Sequence, residues 1–535
     1  MKDALIVIPA IKKNAAIPDQ LIKKLDGITL IQRAINTALN FANNANQILI
    51  ITDSDEIALI AQRNKIAYKK DQKLSLNSEN IIQEVLSKIS EFEQEDIFLY
   101  RANTPLIDSD DLKSAYLRFL ELNNSILVSV KKERRDVFSI QNGKLDKSII
   151  RNDLCEEIGA FYIFNKSVIE NDHYERIPFI IPDNKSIEIN NYQDWWICEK
   201  ILQRKKIVFH VFGDFKIGMG HIFHSLSLAH EITNHEVIFV CNKKYELAVK
   251  EIASMDYRVI STENEEKTIL DLKPDLIVND ILNTKVNFIK KIKKNGAMVV
   301  NFEDLGDGAY HADMVFNELY EKPIKNGNNF YWGHKYISLR NEFDNAKPNL
   351  FKESVSEVLI MFGGTDQNNF TLKILKIILS ICQTRNIAIN IVCGSGYIHK
   401  DKILDFISKS LYKKISLHHA ITNISGVMER SQIAISSNGR SIYELAQINI
   451  PSIIISHHER EFNHDFAKSK RGFINIGMYT ERTSAKVEKE FLRLVCDKDY
   501  RLNLFKKISK YSFIENKINI VSSILSLIER SHEIS

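Results

Sequence analysis

Short, wholly apolar runs alternate along the chain with segments in which apolar residues recur every three or four positions. Apolar runs of about four to six residues are typical of strands buried on both faces of a sheet. The periodic segments predict amphipathic helices that pack one face on such a sheet. Alternating strands and helices predict α/β domains on parallel sheets, in which the loops at the carboxyl ends of the strands can hold a ligand.

The first 204 residues carry one such series. The pattern predicts strands at 4–8, 47–52, 97–101 and 125–130 and helices at 29–40, 57–63 and 195–202. Trp195 and Trp196 are expected to pack the last helix onto the sheet. The short polar run 203–206 is the predicted linker, so we expect the first domain at 1–204.

Two further series follow and predict a GT-B-like region of two facing lobes. Strands are predicted at 206–212, 236–241, 275–280, 297–302 and 314–317, and then at 357–362, 387–392, 433–436 and 451–456. A helical pattern from 484 to 527 ends the series and is expected to pack back on the lobes. We expect the lobes at 205–345 and 346–535, with a ligand cleft between them.

A glycine turn separates the first strand of the second series from its helix, and it reads Ile217-Gly218-Met219-Gly220-His221. Two glycines let the backbone turn sharply and let a ligand approach closely. His221 is the candidate catalytic base, because a neutral imidazole accepts a proton near pH 7; a purely structural turn is the alternative. Asp280 and Asp304 end neighbouring strands and are predicted to be catalytic partners on the same rim.

Two other histidine features are interpreted as structural. His224, one helical turn after His221, is expected to pack in the core, and a role in supporting His221 is the alternative. The segment 457–464 contains several histidines and is expected to be a polar surface loop, because no carboxylate at metal-ligand spacing accompanies them.

Composition narrows the class of protein. The 535 residues include 72 Lys and Arg against 68 Asp and Glu, a near balance that argues against a nucleic-acid partner. The six cysteines are scattered and contain no zinc-type pair, which fits a reducing compartment. The opening Met1–Pro9 becomes polar too quickly for a signal peptide, and no apolar run approaches the length of a membrane span. We expect a cytoplasmic protein without a transmembrane segment.

Ordered motifs run through most of the first domain. They are Ile8-Pro9-Ala10, Ile17-Pro18, Thr52-Asp53-Ser54-Asp55-Glu56, Ala102-Asn103-Thr104-Pro105 and Gly159-Ala160-Phe161. In this order they resemble the cytidylyltransferases that activate nine-carbon, sialic-type sugars. The resemblance implies a Rossmann-like (GT-A-like) fold, CTP and a nonulosonic acid as substrates, and a homo-oligomer formed through this domain. It implies CTP binding by Pro9, Ala10, Lys12, Lys13, Asn103 and Thr104, with Mg²⁺ as cofactor at Glu188 and Asn190.

The phosphate loop departs from that family. The family's arginine, glycine pair and two lysines fall on Ile11, Lys12, Lys13, Ala15 and Gln20. A loop without glycine wraps phosphates less closely, and a neutral asparagine is a poorer Mg²⁺ ligand than a carboxylate. An active domain and a degenerate domain kept for binding or assembly both stay open.

Four motifs in the C-terminal half carry a second resemblance. They are Ile217–His221, Gly333–Phe343, Phe362-Gly363-Gly364-Thr365-Asp366 and Asn438–Ala446. In this order they resemble the UDP-sugar hydrolase of pseudaminic acid synthesis and its spore-coat-polysaccharide relatives. The resemblance implies that His221 activates water without a cofactor. It implies UDP-sugar binding by Gly218, Gly220, Arg340, Gly363, Gly364, Thr365, Ser437, Asn438, Gly439, Ser441, Glu444 and Asn463.

We therefore expect a nucleotide-sugar enzyme of nonulosonic-acid or surface-glycan biosynthesis. Its C-terminal half would hydrolyse a UDP-linked amino sugar. The alternative is a UDP-sugar-dependent glycosyltransferase with a non-catalytic N-terminal domain, in which 457–464 would form the acceptor loop.

Overall fold

The computed structural model divides the chain into two compact units, 1–204 and 205–535. It describes residues 4–13, 17–42, 44–74, 81–122, 125–133, 138–147, 154–170, 174–213 and 218–529. Ala15 of the phosphate loop and Ile217 of the glycine turn lie outside the described residues. Both units are α/β, as the sequence predicts.

The first unit is built on a mixed sheet. Its strands are β1 (Leu5–Ala10), β2 (Lys24–Leu25), β3 (Ile28–Thr29), β4 (Ile48–Thr52), β5 (Ala67–Lys70), β6 (Asp96–Tyr100), β7 (Ser125–Lys132), β8 (Phe138–Gln141), β9 (Lys144–Lys147), β10 (Cys155–Asn165) and β11 (Glu175–Ile180). The main sheet has the order β11-β7-β10-β6-β1-β4-β5. The prediction of a parallel sheet is wrong at β10, which runs antiparallel to β6 and β7. The β8–β9 hairpin lies between β7 and β10 along the chain, and a connection that contains a hairpin permits this direction.

Helices cover this sheet. They are α1 (Leu30–Phe41), α2 (Asp55–Arg63), α3 (Ile81–Leu86), α4 (Ser109–Phe119), α5 (Lys166–Glu170) and α6 (Tyr192–Leu202). Helix α1 begins where the Thr29 hydroxyl accepts a hydrogen bond from the backbone N–H of Gln32, which satisfies an otherwise free helix donor. In α6 only Trp195 packs on the core as predicted, whereas Trp196 is exposed.

Lobe 1 of the second unit is a parallel sheet. Its strands are β12 (Lys206–Val211), β13 (Glu236–Asn242), β14 (Val259–Thr262), β15 (Leu276–Asp280), β16 (Met298–Phe302), β17 (Met314–Asn317) and β18 (Phe330–Trp332). Their order is β14-β13-β12-β15-β16-β17-β18, and the pairs are parallel. The helices are α7 (Gly220–His230), α8 (Glu246–Ser254), α9 (Glu265–Leu272) and α10 (Val286–Lys294).

Lobe 2 repeats this plan. Its strands are β19 (Glu357–Met361), β20 (Ala388–Cys393), β21 (Ile415–His419), β22 (Ile433–Ser437), β23 (Ser452–Ser456) and β24 (Phe473–Met478). Their order is β21-β20-β19-β22-β23-β24, again parallel. The helices are α11 (Phe370–Arg385), α12 (Lys400–Lys409), α13 (Ser425–Met428), α14 (Ser441–Gln447) and α15 (Glu459–Phe462). Short 3₁₀ helices lie at Gln20–Ile22, Ala45–Gln47, Asp307–His311, His334–Tyr336, Asn341–Asp344 and Ser469–Arg471.

The last helices are α16 (Thr483–Cys496), α17 (Lys498–Ile508) and α18 (Asn516–Glu529). Helix α18 returns to lobe 1, where Ile520 and Ile524 join the core around Phe302. Buried Lys517 fixes the crossing through an ion pair of 2.8 Å with Asp344. Two parallel α/β lobes with such a returning helix form the GT-B architecture, which confirms the predicted fold class. Among the described residues, no helix has the length and apolar character needed to cross a membrane.

The packing of α18 predicts a stability difference within one helix. Ile524 is buried, whereas Ile518 on the same helix is exposed. Ile524→Ala removes buried methylene groups and leaves a cavity, so it should lower the free energy of unfolding by about 2–4 kcal/mol. Ile518→Ala is the matched control and should change it by less than about 0.5 kcal/mol. Denaturant unfolding measures both variants, and equal effects would contradict the docking of α18.

Candidate active site

The strand order of each lobe reverses beside the lobe's first strand. In lobe 1 the reversal lies between β12 and β15, and in lobe 2 between β19 and β22. Open parallel sheets hold ligands in the crevice at such a point. The loops there contain the predicted site segments Gly218–His221, Asp280, Gly363–Thr365 and Ser437–Ser441.

The glycine loops of the two lobes meet at this crevice. Gly218 has a φ of +94°, a conformation that favours glycine. A Cβ atom on Gly220 would lie 3.8 Å from Cδ of Arg440, and one on Gly364 would lie 3.5 Å from Cβ of Met219. The two glycine loops therefore lie close enough for side chains at these positions to be in van der Waals contact across the crevice.

Asp280 holds two histidines of helix α7. Its Oδ1 lies 2.6 Å from Nδ1 of His221, and its Oδ2 lies 2.6 Å from Nδ1 of His224. The Ser225 hydroxyl donates a further hydrogen bond of 3.1 Å to Oδ2. Because Nδ1 of His221 is engaged, its Nε2 is the ring nitrogen that would exchange a proton with a ligand. His224 packs in the core beside Phe302, and its helical spacing of three residues also brings it to the same carboxylate as His221, so both of the roles considered for it are met.

Burial and charge act in opposite directions on these groups. Burial lowers the pKa of His221, but the Asp280 carboxylate outweighs burial and raises it above its ordinary value. Burial, assisted by the charge of Arg440, lowers the pKa of His224. Burial opposes ionisation of Asp280, yet the two imidazoles keep its pKa far below the usual range. His221 is thus the histidine of this pair that the site biases towards carrying a proton.

Two arginines of lobe 2 reach carboxylates of lobe 1. Nη2 of Arg440 lies 2.8 Å from Oε1 of Glu303 and 2.5 Å from Oε1 of Glu318. Nη2 of Arg460 donates a hydrogen bond of 2.8 Å to the Glu303 carbonyl and lies 3.5 Å from its Oε2. These ion pairs join the lobes directly beside the histidines. We define the charge cluster as His221, His224, Asp280, Glu303, Glu318, Arg440 and Arg460.

Asp304 requires a correction, because its carboxylate does not face His221. It accepts hydrogen bonds from the backbone N–H and hydroxyl of Thr284, from the Asn301 amide and from the Gly306 N–H. These donors make it a structural anchor for the loops after β15 and β16. Of the two adjacent acids Glu303 and Asp304, Glu303 is the one that belongs to the charge cluster. Its backbone has a φ of +50°.

Several predicted UDP-sugar residues have protein partners of their own. Glu444 accepts a hydrogen bond of 2.8 Å from Nε of Arg340, so the two form a pair beneath the cleft. Asn438 is fully buried and donates to the carbonyls of Glu461 and His464, which makes it a support for the loop. Asn463 is exposed at the end of α15. Partly exposed positions in the crevice are Gly363, Gly364, Thr365, Gly439 and Ser441, whereas Ser437 is buried.

The segment 457–464 is not the polar surface loop that the sequence suggests. His464 is buried and its Nδ1 donates a hydrogen bond of 2.8 Å to the Asn438 carbonyl. His457 stacks on Phe370 with ring centroids 4.6 Å apart. Among the described residues, no group of three or more His, Cys, Asp and Glu side chains is arranged to hold a metal ion.

In the first unit, the predicted phosphate loop is already occupied by protein groups. Asp53 accepts hydrogen bonds from the backbone N–H groups of Lys12 and Lys13, at 2.7 and 3.1 Å. The Lys12 ammonium pairs with Glu56 and Asp19, at 2.7 and 3.0 Å. Pro9 and Ala10 are buried in β1. The donors that would cradle a triphosphate are thus bonded to carboxylates, which would repel it.

The predicted magnesium residues are similarly engaged. Oε1 of Glu188 lies 3.0 Å from Nη2 of Arg101 and accepts a hydrogen bond of 2.8 Å from the Asn103 amide. Asn190 is exposed and its N–H donates to Asp194. Thr104 is buried and its hydroxyl donates to the Arg101 carbonyl. A guanidinium at the carboxylate disfavours a cation there, so the described residues do not fit a magnesium-bound triphosphate.

Sequence reasoning missed the charge cluster outside His221 and Asp280. Glu318 directly follows β17, and Glu303 directly follows β16, just as Asp280 ends β15. That shared position was the available signal. Arg440 lies within a quoted motif, but nothing in the sequence shows that it spans the two lobes.

The chain is similar to two curated proteins. It is 30% identical over 285 residues to the uncharacterized protein MJ1062 of Methanocaldococcus jannaschii, covering 49% of this chain and 58% of that protein. It is 26% identical over 265 residues to the spore coat polysaccharide biosynthesis protein SpsG of Bacillus subtilis, covering 46% of this chain and 76% of that protein. The match therefore spans only part of each relative. No protein-family model matches the chain.

Two solved structures cover different shares of the chain. MurG of Acinetobacter baumannii is 12% identical, with a TM-score of 0.44 over 60% of this chain and 99% of that one. A CMP:2-keto-3-deoxy-manno-octonic acid synthetase complexed with CTP is 13% identical, with a TM-score of 0.29 over 38% of this chain and 98% of that one. Likenesses at this level carry no argument about substrate.

The contact between Asp280 and His221 predicts how the histidine titrates. Asp280→Asn removes the carboxylate that raises the pKa of His221, so this pKa should fall. Ser225→Ala is the control, because it removes a hydrogen bond to Asp280 but keeps the charge. NMR titration of histidine ring signals measures both variants. An unchanged His221 pKa in Asp280→Asn would contradict the assigned pairing.

Proposed function

We propose that the C-terminal half hydrolyses a UDP-linked amino sugar in nonulosonic-acid or surface-glycan synthesis. The observation that carries the proposal is the His221 imidazole, held by Asp280 where two glycine loops of a GT-B fold meet. Residues of three of the motifs approach each other there, Gly220 with Arg440 and Met219 with Gly364. The name of the relative SpsG, a spore coat polysaccharide biosynthesis protein, supports a role in glycan synthesis.

In this proposal His221 is the general base. Its Nε2 takes a proton from water, and the water oxygen forms a bond to the anomeric carbon of the sugar. The bond between that carbon and the diphosphate oxygen breaks, and UDP leaves with the electron pair. Asp280 fixes the ring through Nδ1 and stabilises the imidazolium that forms. The products are the free sugar, UDP and one proton held by His221.

The loops of lobe 2 would hold the nucleotide. Gly363, Gly364 and Thr365 follow β19, and they are partly exposed at the crevice. Backbone N–H groups in such glycine loops can approach a diphosphate closely. Arg440 is the guanidinium of this lobe that lies nearest the glycine turn of lobe 1 among the residues described above. Its charge would stabilise the negative charge that develops on the departing UDP.

Removal of the proposed base tests this function. His221→Ala should lower the rate of UDP release from UDP-diacetamido-trideoxyhexoses by about 10²–10⁴-fold, as expected for loss of a general base. His230→Ala is the matched control, because His230 lies on the same helix and is exposed. Coupled detection of UDP measures the rate. Hydrolysis by His221→Ala at the wild-type rate would contradict the proposal.

Glycosyl transfer is the second candidate, and the position of α15 favours considering it. Arg460 ties this segment to Glu303 of the charge cluster, while Phe462 and Asn463 beside it are exposed. An exposed aromatic ring next to the cleft is suited to contact a sugar acceptor. In that case His221 would deprotonate an acceptor hydroxyl. Product analysis separates the two functions, since only hydrolysis yields free sugar without an acceptor.

For the first unit we propose a role in binding or assembly, including self-association, rather than cytidylyl transfer. The support is the engagement of the loop N–H groups by Asp53 and of Glu188 by Arg101. A triphosphate would have to displace both carboxylate contacts, at the cost of leaving charged groups without partners.

This role predicts the outcome of a transferase assay on the full chain. With CTP, Mg²⁺ and a panel of nonulosonic acids, we expect no pyrophosphate release above a blank without enzyme, because the phosphate loop is occupied. A known CMP-sialic acid synthetase in parallel shows that the assay works. Pyrophosphate release that requires both CTP and the sugar acid would overturn the assignment.

A further inference from the structure

The charge cluster has an unbalanced number of charges if both histidines are neutral. It would then contain the carboxylates of Asp280, Glu303 and Glu318 against the guanidiniums of Arg440 and Arg460. Asp280 and Glu318 are fully buried, and Glu303 nearly so. An uncompensated charge at such depth is costly. Whenever His221 is neutral, another residue of the charge cluster must therefore carry an additional proton.

Hydrogen bonding distinguishes the two glutamates. Glu303 has an arginine at each carboxylate oxygen, with Arg440 at Oε1 and Arg460 at Oε2. Glu318 shares Arg440 at Oε1, but its Oε2 is buried without a partner among the described residues. Glu303 is therefore the better stabilised carboxylate, and Glu318 the better site for a proton.

His224 supplies an independent argument. Its Nδ1 donates to Asp280, so the neutral ring has an acceptor lone pair on Nε2. This Nε2 is buried, has no hydrogen-bond partner among the described residues, and lies 3.9 Å from Oε1 of Glu318. If Glu318 were ionised, its Oε1 and the Nε2 lone pair of His224 would both be hydrogen-bond acceptors and would repel each other. A proton on the unpartnered Oε2 removes the negative charge that an ionised Glu318 would hold beside this lone pair.

We infer that Glu318 is a protonated carboxylic acid whenever His221 acts as the neutral base, and that Glu318 and His224 are positioning residues for His221. The assignment of a base to His221 rests on the proposed function, but the protonation of Glu318 does not. Oε1 of Glu318 contacts Arg440, so the acid proton belongs on the unpartnered Oε2, and a neutral Glu318 lets His224 stay neutral with its proton on Nδ1. Asp280 then receives an N–H from each imidazole and stays ionised.

The charged groups around Glu318 agree with this assignment. Asp280 and Glu303 face it from the ends of β15 and β16, His224 from α7, and Arg440 from the loop before α14. The Tyr443 hydroxyl donates to the main-chain carbonyl of Glu318 and not to its carboxyl group. Burial raises the pKa of Glu318 to about 7 even though Arg440 opposes the shift. Against the effect of burial, Arg440 and His221 hold the pKa of Glu303 at about 2.

Infrared difference spectra of the full chain test the proton directly. Glu318→Gln should lose a carbonyl band of a buried carboxylic acid that the wild type shows at a pH where NMR finds His221 neutral. Glu303→Gln is the matched control, and it should lose only carboxylate bands because Glu303 is ionised. The absence of an acid band that depends on Glu318 would overturn the inference. A loss of the acid band in Glu303→Gln instead would also overturn it.

NMR of ¹⁵N-labelled histidine tests the other partner. His224 should show a neutral ring with its proton on Nδ1 in the wild type, and an imidazolium there would place the proton on the wrong residue. Circular dichroism checks that each variant is folded. Neither spectroscopic test requires turnover. The inference about Glu318 and the proposed hydrolase function can therefore be contradicted independently of each other.

The pH dependence of UDP release gives a functional readout. Glu303 raises the pKa of His221, so Glu303→Gln should move the acid limb of kcat/KM to lower pH. Glu318→Gln exchanges one neutral group for another and should leave the limb in place. A shift of the limb in Glu318→Gln as large as that in Glu303→Gln would contradict a neutral Glu318.

Discussion

The burial of one negative charge, on Asp280, organises the C-terminal half of this protein. A fully buried carboxylate is tolerated only when donors surround it, and here two imidazoles and a hydroxyl do so. These donors come from consecutive turns of α7, so the helix must lie over the end of β15. The glycine turn before α7 makes that placement possible. Fold and candidate chemistry thus depend on the same contact.

The second lobe completes this arrangement through charge. Arg440 and Arg460 reach across to Glu303, and Arg440 also contacts Glu318. The segments that would hold a nucleotide are therefore linked to the groups that set the protonation of His221. In a low-dielectric site such pairs act more strongly than at the surface. Movement of lobe 2 would change the charge near the base as well as the shape of the cleft.

The first unit follows the same rule that polar groups need partners, but there the partners within the protein argue against ligand binding. Its phosphate loop has backbone donors, but Asp53 accepts them, and Arg101 pairs with the carboxylate that a metal would need. The described donors of Lys12 and Lys13 and the Glu188 carboxylate thus have partners within the protein. A site whose polar groups are already paired gains little from a ligand that must break those pairs. This unit can therefore have the fold of the family that it resembles without having that family's activity.

The sequence by itself determined the apolar central strands, the α/β class and the positions of His221 and Asp280 on one rim, because apolar runs identify buried strands and parallel strands end at a common edge. It did not predict outer strands such as β5, β14 and β18, whose runs are short or partly polar. It did not determine which acid after β16 faces the base. Glu303 and Asp304 are adjacent, and the left-handed backbone at Glu303 turns one towards Arg440 and the other towards Thr284.

The partners of Arg440 were likewise decided only by tertiary structure. Its contact with Glu318 joins residues 122 positions apart and in different lobes. Pattern and spacing describe neighbours along the chain, whereas the balance of buried charges depends on which distant groups the packed lobes bring together.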